Sequence, residues 1–205
     1  MMRQLSCFMM IILITLATAS KETGDNMDTA NQLVIDFKEP PAATWRAIND
    51  GVMGGLSQSD LAITGDGTGV FAGNLSLENS GGFASVRTSL GEIDLSEFDG
   101  LAVRVAGDGK RYRLRLRTDN RFDGIAYQAI FDTTNEDWQT VEIPFETFVP
   151  TYRGRTLRDV PPLDRAKICQ LGFMIADKQE GRFRLEIALI HAYKKRPEQK
   201  HDRTP

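Results

Sequence analysis

Residues Arg111-Tyr112-Arg113-Leu114-Arg115-Leu116-Arg117 alternate without exception between cationic and apolar side chains. Successive side chains of an extended strand point to opposite faces, so Tyr112, Leu114 and Leu116 share one face and the four arginines share the other. A helix would scatter the arginines around its circumference. The run therefore commits this part of the chain to a half-buried β-strand. The same period recurs at Gly69 to Leu77, with Phe71, Leu75 and Leu77 on one face, and at Gly181 to Leu189, with Phe183, Leu185, Ile187 and Leu189 on one face. Residues 32–37, 83–90, 101–106, 125–132, 138–143 and 168–176 read as further strands.

Turn chemistry separates these runs. Ala106-Gly107-Asp108-Gly109-Lys110 supplies the glycines of a tight hairpin, and Glu78-Asn79-Ser80-Gly81-Gly82 does the same before residue 83. No stretch of a dozen residues has helical periodicity, although Leu95-Ser96-Glu97-Phe98 is compatible with one turn. About nine short strands at regular spacing predict an all-β fold, an antiparallel jelly-roll sandwich. The proline-punctuated residues 144–167 read as a long excursion from that single domain, and such loops are often functional.

The two ends differ from the middle. Residues 1–19 carry one basic residue, Arg3, then an apolar run and the ending Ala17-Thr18-Ala19. This is the layout of a cleavable signal peptide, with retention as an N-terminal membrane anchor the alternative. Residues 20–31 read as a polar tether, residues 32–193 as the domain, and residues 194–205 as a basic, solvated tail. The formal net charge of −3 resolves into +1 for the leader, +3 for the tail and −7 for everything between. An acidic domain has no global attraction to nucleic acid or anionic lipid, so neither is expected as a partner and membrane contact is expected to be peripheral only. Of the two cysteines, Cys169 alone lies in the domain, inside an apolar run, and reads as a buried small hydrophobe. Without a disulfide, packing must hold the fold.

Catalytic groups are sparse. His191 is the only domain histidine, and G-x-S-x-G, H-E-x-x-H, C-x-x-C and the phosphate-loop motif are absent. The expectation is no catalytic residue, no metal and no cofactor, while a carboxylate pair acting as a hydrolase and a calcium site using Asn49, Asp50, Asp36 or Asp177 stay open because spatial pairing is invisible in sequence. Two features remain as candidate sites. One is Asn49-Asp50-Gly51-Val52-Met53-Gly54-Gly55-Leu56-Ser57, either a self-braced connection or an interaction loop carried by Asn49, Asp50, Gly51, Val52, Met53, Gly54, Gly55 and Ser57. The other is the row Arg111, Arg113, Arg115 and Arg117. Four cations along about 20 Å of strand repel unless neighbouring strands or a ligand supply anions. Glu142 and Glu186 are candidate cross-strand partners, and an anionic ligand is the alternative. Trp45, Trp138 and Tyr152 would offer a sugar-stacking platform if exposed, and core packing if not.

The glycine-rich run, followed by Phe71-Ala72-Gly73-Asn74-Leu75-Ser76, Gly81-Gly82-Phe83-Ala84-Ser85-Val86-Arg87, Phe98-Asp99-Gly100-Leu101 and Gly107-Asp108-Gly109-Lys110-Arg111-Tyr112, resembles the complex I intermediate-associated protein 30 family. Tyr127-Gln128-Ala129, Trp138-Gln139, Ile143-Pro144-Phe145 and Gln170-Leu171-Gly172-Phe173-Met174 continue it, so that it covers roughly residues 32–193. The resemblance implies a galactose-binding-like jelly roll and a non-enzymatic, chaperone-like role, with a respiratory-complex subunit or assembly intermediate as the protein partner. It carries over no catalytic residues. The leader sets this chain apart from the family's mitochondrial members and makes export, to a periplasm or the extracellular space, the expected localisation. An exported carbohydrate- or small-ligand-binding module is the alternative function.

Overall fold

The computed structural model describes residues 31–38 and 44–195, and the leader, most of the tether and most of the basic tail lie outside those residues. Thirteen strands form two antiparallel sheets: β1 (Asn31–Asp36), β2 (Arg46–Ala47), β3 (Gln58–Ile63), β4 (Gly69–Leu75), β5 (Ala84–Ile93), β6 (Gly100–Asp108), β7 (Arg111–Arg117), β8 (Ala126–Asp132), β9 (Asn135–Pro144), β10 (Val149–Tyr152), β11 (Arg155–Thr156), β12 (Ile168–Ile175) and β13 (Gly181–Tyr193). One sheet runs β3-β4-β13-β6-β9 with β1 also on β13; the other runs β11-β10-β8-β7-β12-β5-β2. The antiparallel sandwich expected from the alternation is therefore the fold. Strands β2, β3, β10 and β11 escape the sequence pattern because they are short or carry few apolar residues.

Between the sheets, Phe71 meets Phe183 at 4.9 Å and Tyr112 at 6.4 Å between ring centroids, and Tyr112 stacks on Phe131. These edge-to-face and offset contacts join β4 and β13 of one sheet to β7 and β8 of the other. Tyr112 is wholly buried, and its hydroxyl finds Asp108 Oδ1 at 2.9 Å, which satisfies the one polar atom carried into that layer. Burial, then Asp108, pushes its phenol far above the ordinary range.

β12 departs furthest from alternation, since all eight of its residues are buried, and β6 and β8 each begin with four buried residues in a row. Leu171, Phe173 and Ile175 enter the core, while Gln170, Gly172 and Met174 face away from it. The outward residues Gln170, Gly172 and Met174 lie between the side chains of β5 and β7 and line a cleft on that face. Cys169 is buried as expected, and burial pushes its thiol up. Alkylation at Cys169, followed by mass spectrometry, should be at least about 100-fold slower in the folded chain than in denaturant; equal rates would place the thiol at the surface.

Candidate functional site

A cleft of about 680 Å³ lies on the outer face of the seven-stranded sheet. Its floor comes from cross-strand register. Arg87 on β5, Gly172 on β12 and Arg115 on β7 are direct neighbours, followed by Gln128 on β8. The next row brings Ser85, Met174 and Arg113 together, and the row on the other side joins Ser89, Gln170 and Arg117. Position 172 has no side chain, and a Cβ there would run into the Val86 carbonyl. The floor thus has no side chain between Arg87 and Arg115, a notch between the two arginine stems with closely packed backbone at its base.

The glycine-rich segment forms one wall. Asp50 to Met53 make a single 3-10 turn, closed by Gly54 at φ 91°, a left-handed conformation that favours glycine. Asp50 is 0 % exposed and acts as the key of this wall. Its Oδ1 accepts the Ser57 N–H at 2.9 Å, and its Oδ2 accepts the Ser57 hydroxyl at 2.5 Å, the Gly82 N–H at 2.7 Å and the Phe83 N–H at 3.3 Å. Burial would push this carboxyl up, but the Ser57 hydroxyl and the three main-chain donors outweigh it and hold the group below its usual range. Gly55 is needed beside it, because a Cβ there would occupy the space of the Asp50 carboxylate. Asn49 Oδ1 accepts from the Ser59 hydroxyl at 2.6 Å and the Ser85 N–H at 3.0 Å. Asn49, Asp50 and Ser57 thus brace the segment, whereas Val52 and Met53 project at its tip, 68 % and 62 % exposed, and line the cleft. Gly51 has open space around it.

The arginine row divides. Arg113, Arg115 and Arg117 line the cleft. Arg111 lies outside it, ion-paired with Asp132, its register partner on β8, at 2.8 Å. The expected partners Glu142 and Glu186 do not reach any of them: β9 and β13 belong to the opposite sheet, where Glu186 takes the Thr68 hydroxyl and Arg184. Arg113 pairs instead with Asp177. Arg117 donates to the Gly124 carbonyl at 2.7 Å, and Arg87, absent from the sequence-based candidates, donates to the Phe122 carbonyl at 3.2 Å with its guanidinium over the Phe122 ring. Arg87, Phe122 and Arg153 carried no signal beyond an outward strand position or a loop; the register of three non-consecutive strands brings Arg87 to Arg115, and the loops after β7 and β10 bring Phe122 and Arg153 to the same cleft.

The residues considered for a sugar platform do not meet. Trp45 stacks between Phe37 and Phe173, Trp138 lies on β9 in the other sheet beside Arg104, and Tyr152 carries Arg153 over its ring. Nor do the calcium candidates converge, since Asp36 caps the Lys38 N–H and Asp177 faces Arg113. Among the described residues, no group of three or more His, Cys, Asp or Glu side chains is arranged to hold a metal ion.

Comparison with known proteins adds two findings. Residues 35–187 match the family model of complex I intermediate-associated protein 30. The chain is 27% identical over 181 residues to a Drosophila melanogaster protein named complex I intermediate-associated protein 30, mitochondrial, a match covering 77% of this chain and 61% of that one. It is 38% identical over 105 residues to the Mus musculus protein of that name, covering 49% of this chain and 32% of the relative. It is 33% identical over 172 residues to a Schizosaccharomyces pombe protein without an assigned role, covering 74% and 78% of the two chains. The chain thus spans less than two thirds of the fly and mouse relatives. Among solved structures, a family 11 carbohydrate-binding module from Clostridium thermocellum in complex with a mixed-linked tetrasaccharide superposes with TM-score 0.60 at 17% identity, covering 80% of this chain and 96% of the module. At that identity the likeness concerns the fold, a galactose-binding-like sandwich. The relatives' names overturn the expectation of export: fly, mouse and Neurospora crassa proteins are each named mitochondrial, which conflicts with a periplasmic or extracellular location and with the signal-peptide reading of residues 1–19.

Proposed function

Since the chain belongs to the complex I intermediate-associated protein 30 family, we propose that it takes part in assembling respiratory complex I as a non-catalytic domain that holds a protein partner. The observation that carries this reading is the family match across residues 35–187, nearly the whole sandwich. The acting unit is the domain of residues 32–193, and the working surface is the cleft with the Val52–Met53 tip. Support also comes from the one acidic residue that lines the cleft: Asp123 is ion-paired with Arg153, and Asp177, beside the cleft, is paired with Arg113.

The test is affinity capture with the tagged full chain from detergent-solubilised respiratory membranes. Complex I subunits should be enriched at least about tenfold over an untagged control, the contrast expected when assembly rests on a specific interface. Recovery of those subunits at background level would refute the assembly role.

A further inference from the structure

The cleft floor carries more positive charge than the chain neutralises. Arg113 has Asp177, and Arg87 and Arg117 have one main-chain carbonyl each. Arg115 has no hydrogen-bond acceptor or ion-pair partner among the described residues, and its Nε is buried without one. The nearby acids are already engaged, Asp119 with Arg121 at 2.7 Å and Asp123 with Arg153 at 2.6 Å. Burial first, then the fields of Arg117, Arg87 and Arg113, pushes the Arg115 guanidinium down to about 10. A fold that desolvates a cation without supplying its anion is less stable for it, unless a ligand brings the anion.

The rim narrows the class of ligand. Val52 and Met53 on one side and Phe122, 59 % exposed, on the other are apolar surfaces of the same cleft. An inorganic anion would sit in the notch and leave them bare. A sugar would find no stacked aromatic platform there. A nucleic acid would bring its whole polyanionic length against a domain whose residues 20–193 carry −7. A short peptide segment satisfies both requirements: carboxylates for the floor and apolar side chains for the rim.

Resting on the reading that this chain holds a protein partner, we propose that the notch between Arg87 and Arg115 receives a carboxylate of an extended acidic segment of that partner, whose neighbouring apolar side chains cover Val52, Met53 and Phe122. Gly172 places no side chain between the two arginines, and the two guanidinium forks present N–H donors to the planar carboxylate. The segment lies across β5, β12 and β7 with alternate side chains directed at floor and rim.

The probe is a fluorescent ten-residue peptide alternating Glu with Leu and Phe, titrated against the full chain, together with the same peptide carrying Gln for Glu. Vesicles of phosphatidylglycerol and a single-stranded oligonucleotide serve as rival anions. The Glu peptide should bind at least about tenfold more tightly than the Gln peptide, and more weakly as salt rises. Arg115→Gln should lose about tenfold in affinity, Arg115→Lys an intermediate amount, and Arg111→Gln, outside the cleft, less than about twofold. Melting curves of each variant separate lost contact from lost fold. Equal binding of the two peptides, undiminished binding by Arg115→Gln in a folded chain, or Arg115-dependent binding of vesicles or oligonucleotide with the peptide failing would each overturn the proposal. If complex I subunits are captured while the peptide is not bound, the assembly role stands and this site falls; Arg115-dependent peptide binding without capture gives the reverse.

Discussion

Asp50→Ala is expected to destabilise the domain by about 3–5 kcal/mol, read as a lower midpoint in urea with an unchanged slope. The side chain is fully buried and accepts three main-chain N–H groups, those of Ser57, Gly82 and Phe83. Truncation strands all three donors, each at a cost of about 1–3 kcal/mol when no partner replaces the carboxylate. The Ser57 hydroxyl loses less, because it also approaches the Ser76 carbonyl at 3.3 Å. Asp50→Asn keeps the shape but turns an amide N–H₂ toward N–H donors, so it should recover less than half of the loss. The pH dependence has a definite sign. The folded carboxyl lies below its usual range, so its stabilisation is complete above the unfolded value of about 3.9 and disappears as pH falls through the folded value. The gap between wild type and Asp50→Ala should therefore narrow below about pH 4. A loss under about 1 kcal/mol at neutral pH would show that the wall does not hang on this residue.

Arg115→Met should act in the opposite direction and raise stability by about 1–3 kcal/mol, on the order of 3–10 °C in Tm for a domain of this size. Methionine keeps the unbranched stem over the sheet and removes a guanidinium that has no acceptor and sits among Arg87, Arg113 and Arg117. Because burial and the neighbouring arginines hold the folded guanidinium down at about 10, below its ordinary range, the unfolded chain holds the proton more tightly above that pH. Wild-type stability should thus rise relative to Arg115→Met above about pH 10. A gain in stability together with a loss of peptide binding is the pairing expected of a site kept for function. A stability loss of more than about 1 kcal/mol would instead mean that Arg115 is a structural cation with an intramolecular partner.

Leu114 and Leu116 illustrate what was legible in advance. Strict alternation assigns each side chain of β7 to a face, and one buried face decides that assignment without reference to the strand's neighbours. Sandwich architecture, turn positions and the burial of Cys169 rest on the same local logic. The glycine-rich segment was half legible: three glycines mark a tight connection, but the partner that demands them, Asp50 reaching across to Gly82 and Phe83, is visible only once residues 50 and 82 are side by side.

The arginine row marks the limit. Sequence placed Arg111, Arg113, Arg115 and Arg117 on one face and matched them with Glu142 and Glu186; topology put those glutamates in the other layer. Alternation by itself determined that this chain is an antiparallel sandwich and which side chains of β7 enter its core, because a strand's period of two is a property of the local backbone; it misplaced Leu77, which is 37 % exposed, and Leu189, since the irregularity between Ile187 and Leu189 turns Ile190 into the core instead. Tertiary structure alone decided that Arg87, Gly172 and Arg115 lie abreast and that Arg115 lacks an anion, because hydrogen bonding between strands distant along the chain sets which outward residues become neighbours.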